Sequence, residues 1–447
     1  MRGGGQSIVM TCIKIRATQF AKIAFTHVNC PSCRPESVLS ASPAARPAIA
    51  ASKRAAFTTI GLVIFCQSFQ ALTYGGIALF LPLIRADLHM TFSQAGMLSA
   101  ASTFTYMLGQ VPSGYLADRF GPKRLFFFGV FGSTALALNF AFIETFEFAV
   151  ANQLVSGVFR ALLFAPGLAL ISSWFPPERR ATAMGLYVAG GFSGNIFLSL
   201  AGPLMVNHYG WRFPFIMFSV MGMGASFLYL AFGREKPRTE PRHPPGLAHA
   251  AELLRHRFMW LCAAVQFIRM GPVVGFNFWL PSFLVADRGL TIQAAGLVTA
   301  MGAALSAPSN ALGGYVSDRL RNPPLVIGGS LTVLACTSLL LVHVHSMPLL
   351  LLVIAVNSVF AQFYFGPLFM VPVEVLGTRT AGLSTGFSNL FANAGSLGFA
   401  YTLGAIKDHS GSFTWGFSAV GATCALGVVL SVALARLRRR ALAAKAL

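Results

Sequence analysis

Residues 114–119 read Gly-Tyr-Leu-Ala-Asp-Arg, and residues 314–319 read Gly-Tyr-Val-Ser-Asp-Arg, about 200 positions later. In both places a long apolar segment runs into the hexapeptide and a second apolar segment follows it. Self-similarity at a fixed spacing is the mark of an internal repeat. The hexapeptide therefore predicts a chain built from two related halves.

The repeat extends beyond the hexapeptide at nearly the same spacing. Residues 93–97 match residues 293–297, and the Leu-Pro pair at 81–82 matches the pair at 280–281. A duplicated set of apolar segments with charged signatures at matching ends is typical of a secondary transporter.

The composition predicts a membrane protein. Hydrophobic residues make up 55% of the 447 positions, charged residues make up 10%, and the mean hydropathy is +0.66. A soluble domain could not bury so much apolar surface. In lipid the backbone must form helices or closed barrels, and apolar runs of about 20 residues indicate helices.

We therefore predict an all-α membrane protein with twelve transmembrane helices in two pseudo-symmetric six-helix bundles. The predicted spans are 57–83, 92–117, 124–142, 147–173, 181–205, 212–232, 258–285, 292–316, 324–343, 348–371, 381–403 and 413–435.

The spans divide the chain into five segments. Residues 1–56 contain no spanning run, so we expect a disordered cytoplasmic tail, or a start assigned too early. A Pro-rich cytoplasmic linker at 233–257 joins an N-terminal bundle over 57–232 to a C-terminal bundle over 258–437. A basic cytoplasmic tail follows at 438–447.

The distribution of basic residues predicts the orientation. Of the 33 Lys and Arg residues, Arg85, Arg212, Arg288 and Lys407 fall on one face, and two more lie inside spans. The others lie in the tails and in the loops after even-numbered spans, which places both termini in the cytoplasm and the protein in the inner (plasma) membrane. This asymmetry and the attraction to anionic lipids account for the net charge of +20 without a nucleic-acid partner.

Residues 114–124 read Gly-Tyr-Leu-Ala-Asp-Arg-Phe-Gly-Pro-Lys-Arg and resemble the signature loop between helices 2 and 3 of the major facilitator superfamily. The resemblance extends over residues 57–437. It implies two six-helix bundles around a central cavity lined by spans 1, 4, 7 and 10, with rocker-switch alternating access. We expect the carrier to work as a monomer.

The motif has a physical interpretation as a conformational switch. Gly114 would let a neighbouring helix approach closely, and Asp118 would pair with a nearby arginine or a helix N-terminus in one conformation only. For Arg124, simple anchoring by positive charge is the alternative. The candidate switch residues are Gly114, Asp118, Arg119, Gly121, Arg124, Gly314, Asp318 and Arg319, and the second copy departs from the first at Arg321 and Asn322.

None of the thirteen Asp and Glu residues falls near the middle of a span, whereas two arginines do. Arg160 and Arg269 lie roughly 16–18 Å from the starts of spans 4 and 7, near the midplane of a ~30 Å hydrocarbon core. An uncompensated guanidinium there costs at least ~2.5–3.5 kcal/mol. Because Arg grips carboxylate, phosphate or sulfonate bidentately, a small anionic substrate is the expected counter-ion. Hydrogen bonding to unwound backbone is the alternative.

Polar side chains in phase with these arginines complete the candidate substrate site. They fall on the four spans that the resemblance assigns to the cavity. The candidate substrate-binding residues are Arg160, Arg269, Gln70, Tyr74, Asn277, Asn357, Gln362 and Tyr364. For an individual Gln or Asn, an interhelical hydrogen bond is an equal alternative.

Within the superfamily, Trp-Phe-Pro-Pro-Glu-Arg-Arg at 174–180 and Phe-Trp-Leu-Pro at 278–281 resemble the anion:cation symporter family. The resemblance implies transport of organic anions. That family's Arg, Gly and Glu in span 4 are here Gln153, Gly157 and Arg160, so a base replaces the acid tied to cation coupling. Exchange of anions is therefore an alternative to symport.

Two other functions stay open. The 41 Phe residues are compatible with efflux of a drug or another hydrophobic compound. A transporter-like receptor would instead bind its ligand without moving it. The spans contain no nucleophile–base pair, metal-ligand set or phosphate-binding loop, so we expect neither an enzyme nor a bound cofactor or metal.

Overall fold

The computed structural model describes residues 45–175, 180–235, 257–364, 368, 371 and 381–446, which form twelve helices and no strand. The helices are α1 (Ala45–Asp87), α2 (Phe92–Phe120), α3 (Pro122–Phe140), α4 (Phe146–Ser173), α5 (Arg180–Tyr209), α6 (Arg212–Phe232), α7 (Arg257–Ala286), α8 (Ile292–Leu320), α9 (Pro323–His343), α10 (Met347–Phe363), α11 (Ala381–Ser410) and α12 (Thr414–Ala446). Each helix corresponds to one predicted span, so the all-α prediction is confirmed.

Six of the described helices are long and apolar enough to cross a membrane by their own composition, namely α1, α4, α6, α7, α9 and α12. α10 is apolar but has only 17 residues. The other helices carry more small and polar residues, a composition that permits close helix packing.

The observed helices extend beyond the predicted spans at the two ends of the described chain. α1 begins at Ala45, inside the predicted tail, and α12 continues to Ala446 through the predicted basic tail. Ala, Leu, Arg and Lys dominate this last stretch and are strong helix formers, so the helix continues past its apolar part. Residues 1–44 and most of the predicted linker, 236–256, lie outside the described residues.

The two copies of the motif end their helices differently. Gly121, with φ 84°, ends α2 and starts α3, and Pro122 occupies the first helical position. Arg321 takes the equivalent place after α8 with φ 50° and ψ 24°, a left-handed conformation that costs a non-glycine residue more. The departure noted between the two copies is therefore a real difference in turn geometry.

The helix pairs that pack together repeat between the two halves. In the first half α2 packs on α4, α3 on α4 and α3 on α6; in the second half α8 packs on α10, α9 on α10 and α9 on α12. Between the halves, α2 packs on α11 and α5 packs on α8. These two contacts are related by the same repeat, as expected for two pseudo-symmetric bundles.

Close packing inside each half depends on glycine. A side chain at Gly194 of α5 would overlap the Ser68 carbonyl oxygen of α1, and one at Gly395 of α11 would overlap the Phe267 carbonyl oxygen of α7. Backbone approaches of this kind are available only to small residues.

The loops that follow odd-numbered helices share one face, which we call the odd-loop face, and the loop at Gly121 lies on the opposite motif face. At the odd-loop face the two halves meet through repeat-related glycines. A side chain at Gly96 of α2 would overlap the Ala400 carbonyl oxygen of α11, and one at Gly296 of α8 would meet Ser199 and Pro203 of α5. The halves are therefore closed against each other on this face.

Replacing Gly96 or Gly296 by Val should force the halves apart at the odd-loop face, because each new side chain would overlap the other half. We expect spin labels at the exposed positions Glu144 and Ser346, one on each half, to report a larger fraction of long distances. Gly224→Val is the matched control, since a side chain there meets no described atom within 4 Å. Unchanged distances in both test variants would contradict the packing.

Candidate substrate site

Arg160 lies at the middle of α4 and reaches across to α2. One turn earlier, a side chain at Gly157 would overlap Thr105 and the Ser102 carbonyl oxygen, so α4 and α2 lie in near backbone contact. At this separation Nη1 of Arg160 donates a hydrogen bond to the Ser102 hydroxyl at 2.8 Å. Glycine at 157 thus brings the predicted cation to a partner on the neighbouring helix.

Two tyrosines flank the same guanidinium. The Cζ atom of Arg160 lies 3.5 Å from the ring centroid of Tyr74 on α1 and 5.3 Å from that of Tyr106 on α2. Both distances fall within the range of cation–π attraction, which is stronger away from water. The structure therefore brings Tyr74 and Arg160 together.

The Arg160 guanidinium has one edge still available for hydrogen bonding. Its Nε is buried and has no hydrogen-bond partner among the described residues. Because Ser102 binds Nη1, the opposite edge, formed by Nε and Nη2, is left to receive an acceptor. This edge offers two parallel N–H groups, which match the two oxygens of a carboxylate.

A cavity adjoins Arg160 and brings several predicted residues together. In this conformation its volume is about 10 Å³, which is about the room that one water molecule needs. Its walls are Gln70, Tyr74, Ile77, Ser133, Ala137, Phe140, Gln153, Ser156, Arg160 and Phe215. Amide and hydroxyl groups thus face the cation, while Ile77, Phe140 and Phe215 supply an apolar wall. This mixture is typical of sites for small molecules.

The described carboxylates lie away from Arg160. The ion pairs seen among the described residues are Asp87 with Arg212 at 2.6 Å and Asp287 with Lys407 at 2.5 Å, and both lie at the odd-loop face. Within the described chain, no carboxylate lies in ion-pair distance of Arg160. Its positive charge is therefore offset there only by dipoles and aromatic rings.

Arg269 is the more deeply buried of the two arginines, with 2% of its surface exposed. Its Nη1 makes a long hydrogen bond of 3.5 Å to Oε1 of Gln266, one turn earlier on α7. Its Cζ atom lies 5.6 Å from the ring centroid of Tyr364, which follows α10. The structure therefore places Arg269 beside Tyr364, in a group separate from the cavity walls named above.

The predicted amide residues have different environments. The Asn357 amide is buried and donates to the Thr337 hydroxyl of α9 at 2.8 Å, which is the interhelical alternative. We therefore remove Asn357 from the substrate site. Asn277 is exposed and donates to the Val273 carbonyl of its own helix at 2.8 Å, and Gln362 is half-buried.

Among the described residues, the motif glycines Gly114 and Gly314 show no close approach to another helix. A side chain at Gly114 or Gly314 would meet no described atom within 4 Å. In the second copy the preceding residue, Gly313, makes the backbone contact instead, against the Phe363 carbonyl of α10. Close approach of another helix at Gly114 therefore stays a prediction.

The charged motif residues are largely exposed in the described structure. Arg119 lies over the Phe120 ring at 5.5 Å, Arg319 donates to the Tyr315 hydroxyl at 3.3 Å, and Asp318 and Arg124 are exposed. The structure describes the backbone of Asp118 but not its side chain. A latch at Asp118 stays a prediction.

Sequence reasoning missed Ser102 and Tyr106, which contact Arg160 from α2. The resemblance assigns only spans 1, 4, 7 and 10 to the cavity, whereas Ser102 and Tyr106 lie on span 2. The spacing of four between Ser102 and Tyr106 places both on one helix face, a signal that was present in the sequence.

Comparison with known proteins identifies the family to which the chain belongs. The protein-family profile described as the Major Facilitator Superfamily matches residues 63–400. The chain is 26% identical over 380 residues to the probable sulfoacetate transporter SauU of Cupriavidus necator, covering 78% of this chain and 87% of that protein. It is 24% identical to the hexuronate transporter of Bacillus subtilis, covering 80% and 89%.

A solved structure shares the fold. The bacterial homologue of the human lysosomal transporter Spinster, in an inward-facing and unoccupied conformation, superposes with a TM-score of 0.71. The match covers 87% of this chain and 97% of that one at 16% sequence identity, so it supports the fold alone.

The family profile covers most of the chain, including eleven helices in whole or in part. The relatives that match over nearly their whole length are transporters. The protein is therefore a member of the Major Facilitator Superfamily, a membrane transporter rather than an enzyme.

Proposed function

We propose that the protein carries a small organic anion across the inner membrane by alternating access, and that Arg160 is the cation that binds it. The observation that carries this proposal is the buried, unused Nε edge of Arg160 beside the cavity. A charge in this position is expensive in the empty protein. An anion that fills the edge offsets that cost, so binding and charge compensation are one event.

The chemistry of the cavity favours a carboxylate or sulfonate with further polar groups. The guanidinium edge would hold the acid group, and Gln70, Gln153 and Ser156 would hydrogen-bond the remainder. Relatives named for sulfoacetate, for galactarate or D-glucarate, and for hexuronate all carry substrates of this class. Their names support the class of substrate, not a particular compound.

Arg269 is the second proposed cation. Its guanidinium lies beside the Tyr364 ring, and the pair comes from the second half of the chain. With Arg160 on the first half, each bundle would contribute one positive charge. An anion held between two bundles would couple its binding to their relative movement.

We place the motif face and both termini in the cytoplasm, because the basic loops lie on that side. Coupling is proposed to be either exchange of anions or symport. Exchange needs no titrating acid in the cavity, and no carboxylate of this sequence falls near the middle of a predicted span. Faster uptake into vesicles preloaded with the same anion would favour exchange.

Uptake into proteoliposomes tests the substrate class and the role of Arg160. With a panel of sulfoacetate, D-glucarate, D-galactarate and a hexuronate, we expect saturable uptake of at least one anion. Arg160→Gln should lower that uptake about 100-fold or more, and Arg160→Lys should recover little, because Lys lacks the two-N–H edge. Arg257→Gln, at an exposed arginine that starts α7, is the control for charge loss.

Three results would contradict the proposal. Normal uptake by Arg160→Gln would remove Arg160 from the site. No uptake of any anion by purified protein, with increased drug sensitivity of cells lacking it, would favour efflux of hydrophobic compounds. Saturable binding without flux would indicate a receptor.

The reassignment of Asn357 gives a second test. Gln70→Ala should raise the KM for uptake several-fold, because Gln70 lines the cavity beside Arg160. Asn357→Ala should instead lower the free energy of unfolding by about 1–3 kcal/mol and leave the KM unchanged. The reason is that it leaves the buried Thr337 hydroxyl without its donor. A raised KM for Asn357→Ala, at normal stability, would return Asn357 to the substrate site.

A further inference from the structure

The hydrogen bond between Arg160 and Ser102 determines which edge of the guanidinium is free. Ser102 is completely buried on α2, and its hydroxyl accepts from Nη1 of Arg160. The Arg160 side chain has several rotatable bonds and would otherwise sample many orientations. With Nη1 held by Ser102 and Tyr74 stacked at 3.5 Å, the guanidinium plane has little freedom left.

The position of Ser102 is itself fixed by contacts outside the cavity. Thr105, one turn later on α2, donates to the Leu154 carbonyl of α4 at 2.7 Å. The near backbone contact at Gly157 holds the same two helices together. Ser102 is thus part of a rigid α2–α4 interface rather than a mobile wall of the cavity.

We propose that Ser102 is a positioning residue for transport, which aims the Nε edge of Arg160 at the anion. This inference rests on the proposed function. Ser102 acts through Arg160 and is not expected to touch the substrate. Loss of its hydroxyl would release Nη1 and let the guanidinium turn toward other acceptors. Substrate binding would then bear the cost of ordering it.

The test compares Ser102→Ala with Ser99→Ala, measuring uptake of the best-transported member of the anion panel. Ser99 is a buried serine one turn earlier on α2 whose hydroxyl has no hydrogen-bond partner among the described residues, so it controls for the loss of a buried hydroxyl. We expect Ser102→Ala to raise the KM about tenfold with little change in kcat, and Ser99→Ala to change neither.

A double variant separates positioning from a general structural effect. Ser102→Ala combined with Arg160→Gln should transport no worse than Arg160→Gln alone, because Ser102 acts only through that arginine. Additive losses, or a normal KM for Ser102→Ala, would overturn the positioning role. Normal transport by Arg160→Gln would contradict the proposed function. Impaired transport by Arg160→Gln with a normal KM for Ser102→Ala would contradict only the positioning role of Ser102.

A second inference rests on a different contact, at the odd-loop face. Asp408, in the last turn of α11, accepts hydrogen bonds from the backbone N–H groups of Phe92 at 2.9 Å and Ser93 at 2.6 Å. The Ser93 hydroxyl also donates to it, at 2.5 Å. These N–H groups form the start of α2, where the helix dipole favours a negative charge.

The next residue along the chain anchors this carboxylate to its own half. Lys407 pairs with Asp287 at the end of α7 and donates to the Gly411 carbonyl at 2.9 Å. Asp287 also accepts from the Phe413 N–H before α12, at 3.1 Å. The end of α11 is thus tied to the second half, while Asp408 reaches across to the first.

The repeat-related contact between α5 and α8 has no such carboxylate. At the spacing that relates Gly194 to Gly395, the residue matching Asp408 is Asn207. The start of α8 is capped by its own Thr291 hydroxyl at 3.3 Å, as the start of α2 is by Thr91 at 3.1 Å. Glycine packing closes both contacts between the halves on this face. Within the part of the chain that the structure describes, only the α2–α11 contact adds a charge on a helix N-terminus.

We infer that Asp408 is a latch that holds the odd-loop face closed and must leave the start of α2 before that face opens. Its release exposes the first N–H groups of α2 and the carboxylate to water, which can bind both. The latch therefore biases the two conformations without preventing their exchange. Opening would begin at the α2–α11 contact, and separation of the α5–α8 glycine contact would follow.

The label pair at Glu144 and Ser346 tests the latch in the full-length protein in lipid. Asp408→Asn and Asp408→Ala should each raise the ratio of open to closed distances roughly five- to tenfold. Glu147→Gln removes an exposed carboxylate of the same face, at the start of α4, and should leave the ratio unchanged. The Asp287–Lys407 pair remains in every variant.

An unchanged open-to-closed ratio in both Asp408 variants would overturn the latch. So would an equal rise in Glu147→Gln, because it would indicate a general effect of surface charge. Thermal stability measured on the same samples identifies any variant that is merely misfolded. Asp408→Asn is nearly isosteric, and its result decides if Asp408→Ala proves unstable.

Discussion

The cost of placing charge in hydrocarbon shapes most of this protein. Backbone groups are satisfied inside helices, carboxylates lie near helix ends, and the pairs at Asp87 and Asp287 lie where water is near. Arg160 and Arg269 are the exceptions. Each lies in a helix interior, and among the described residues Arg160 has no carboxylate in ion-pair distance. A substrate that brings its own negative charge gives these exceptions a physical reason.

Symmetry and asymmetry have separate roles in the molecule. The repeated helix contacts and the paired glycines at Gly96 and Gly296 build two similar bundles that can close on each other. The groups that distinguish the halves do not follow the repeat. Arg160 is held by Ser102, and Arg269 lies beside Tyr364. Among the described residues, a carboxylate, that of Asp408, caps a helix at only one of the two contacts between the halves. The two similar bundles allow the movement. In our proposal the charges that do not follow the repeat bind the substrate and favour the conformation closed at the odd-loop face.

Close packing at glycines connects the substrate site with the contact between the two halves. Gly157 brings α4 against α2, which lets the short Ser102 side chain reach Arg160. Gly96 brings α2 against α11, which lets Asp408 reach the start of α2. The same helix, α2, therefore aims the substrate cation and receives the latch. Movement of α2 relative to α11 would therefore affect both the orientation of Arg160 and the contact of Asp408.

The sequence by itself determined the helices, the repeat and the two buried arginines, because these depend on local composition and on spacing along the chain. It also grouped Gln70, Tyr74 and Arg160 correctly, since helix periodicity and the family resemblance place them on facing helices. Only the tertiary structure decided that Ser102 and Tyr106 belong with Arg160, that Asn357 bonds Thr337 and that Gly313 meets the Phe363 carbonyl. Those outcomes depend on the rotation and separation of neighbouring helices, which are set by side-chain packing between segments far apart in sequence.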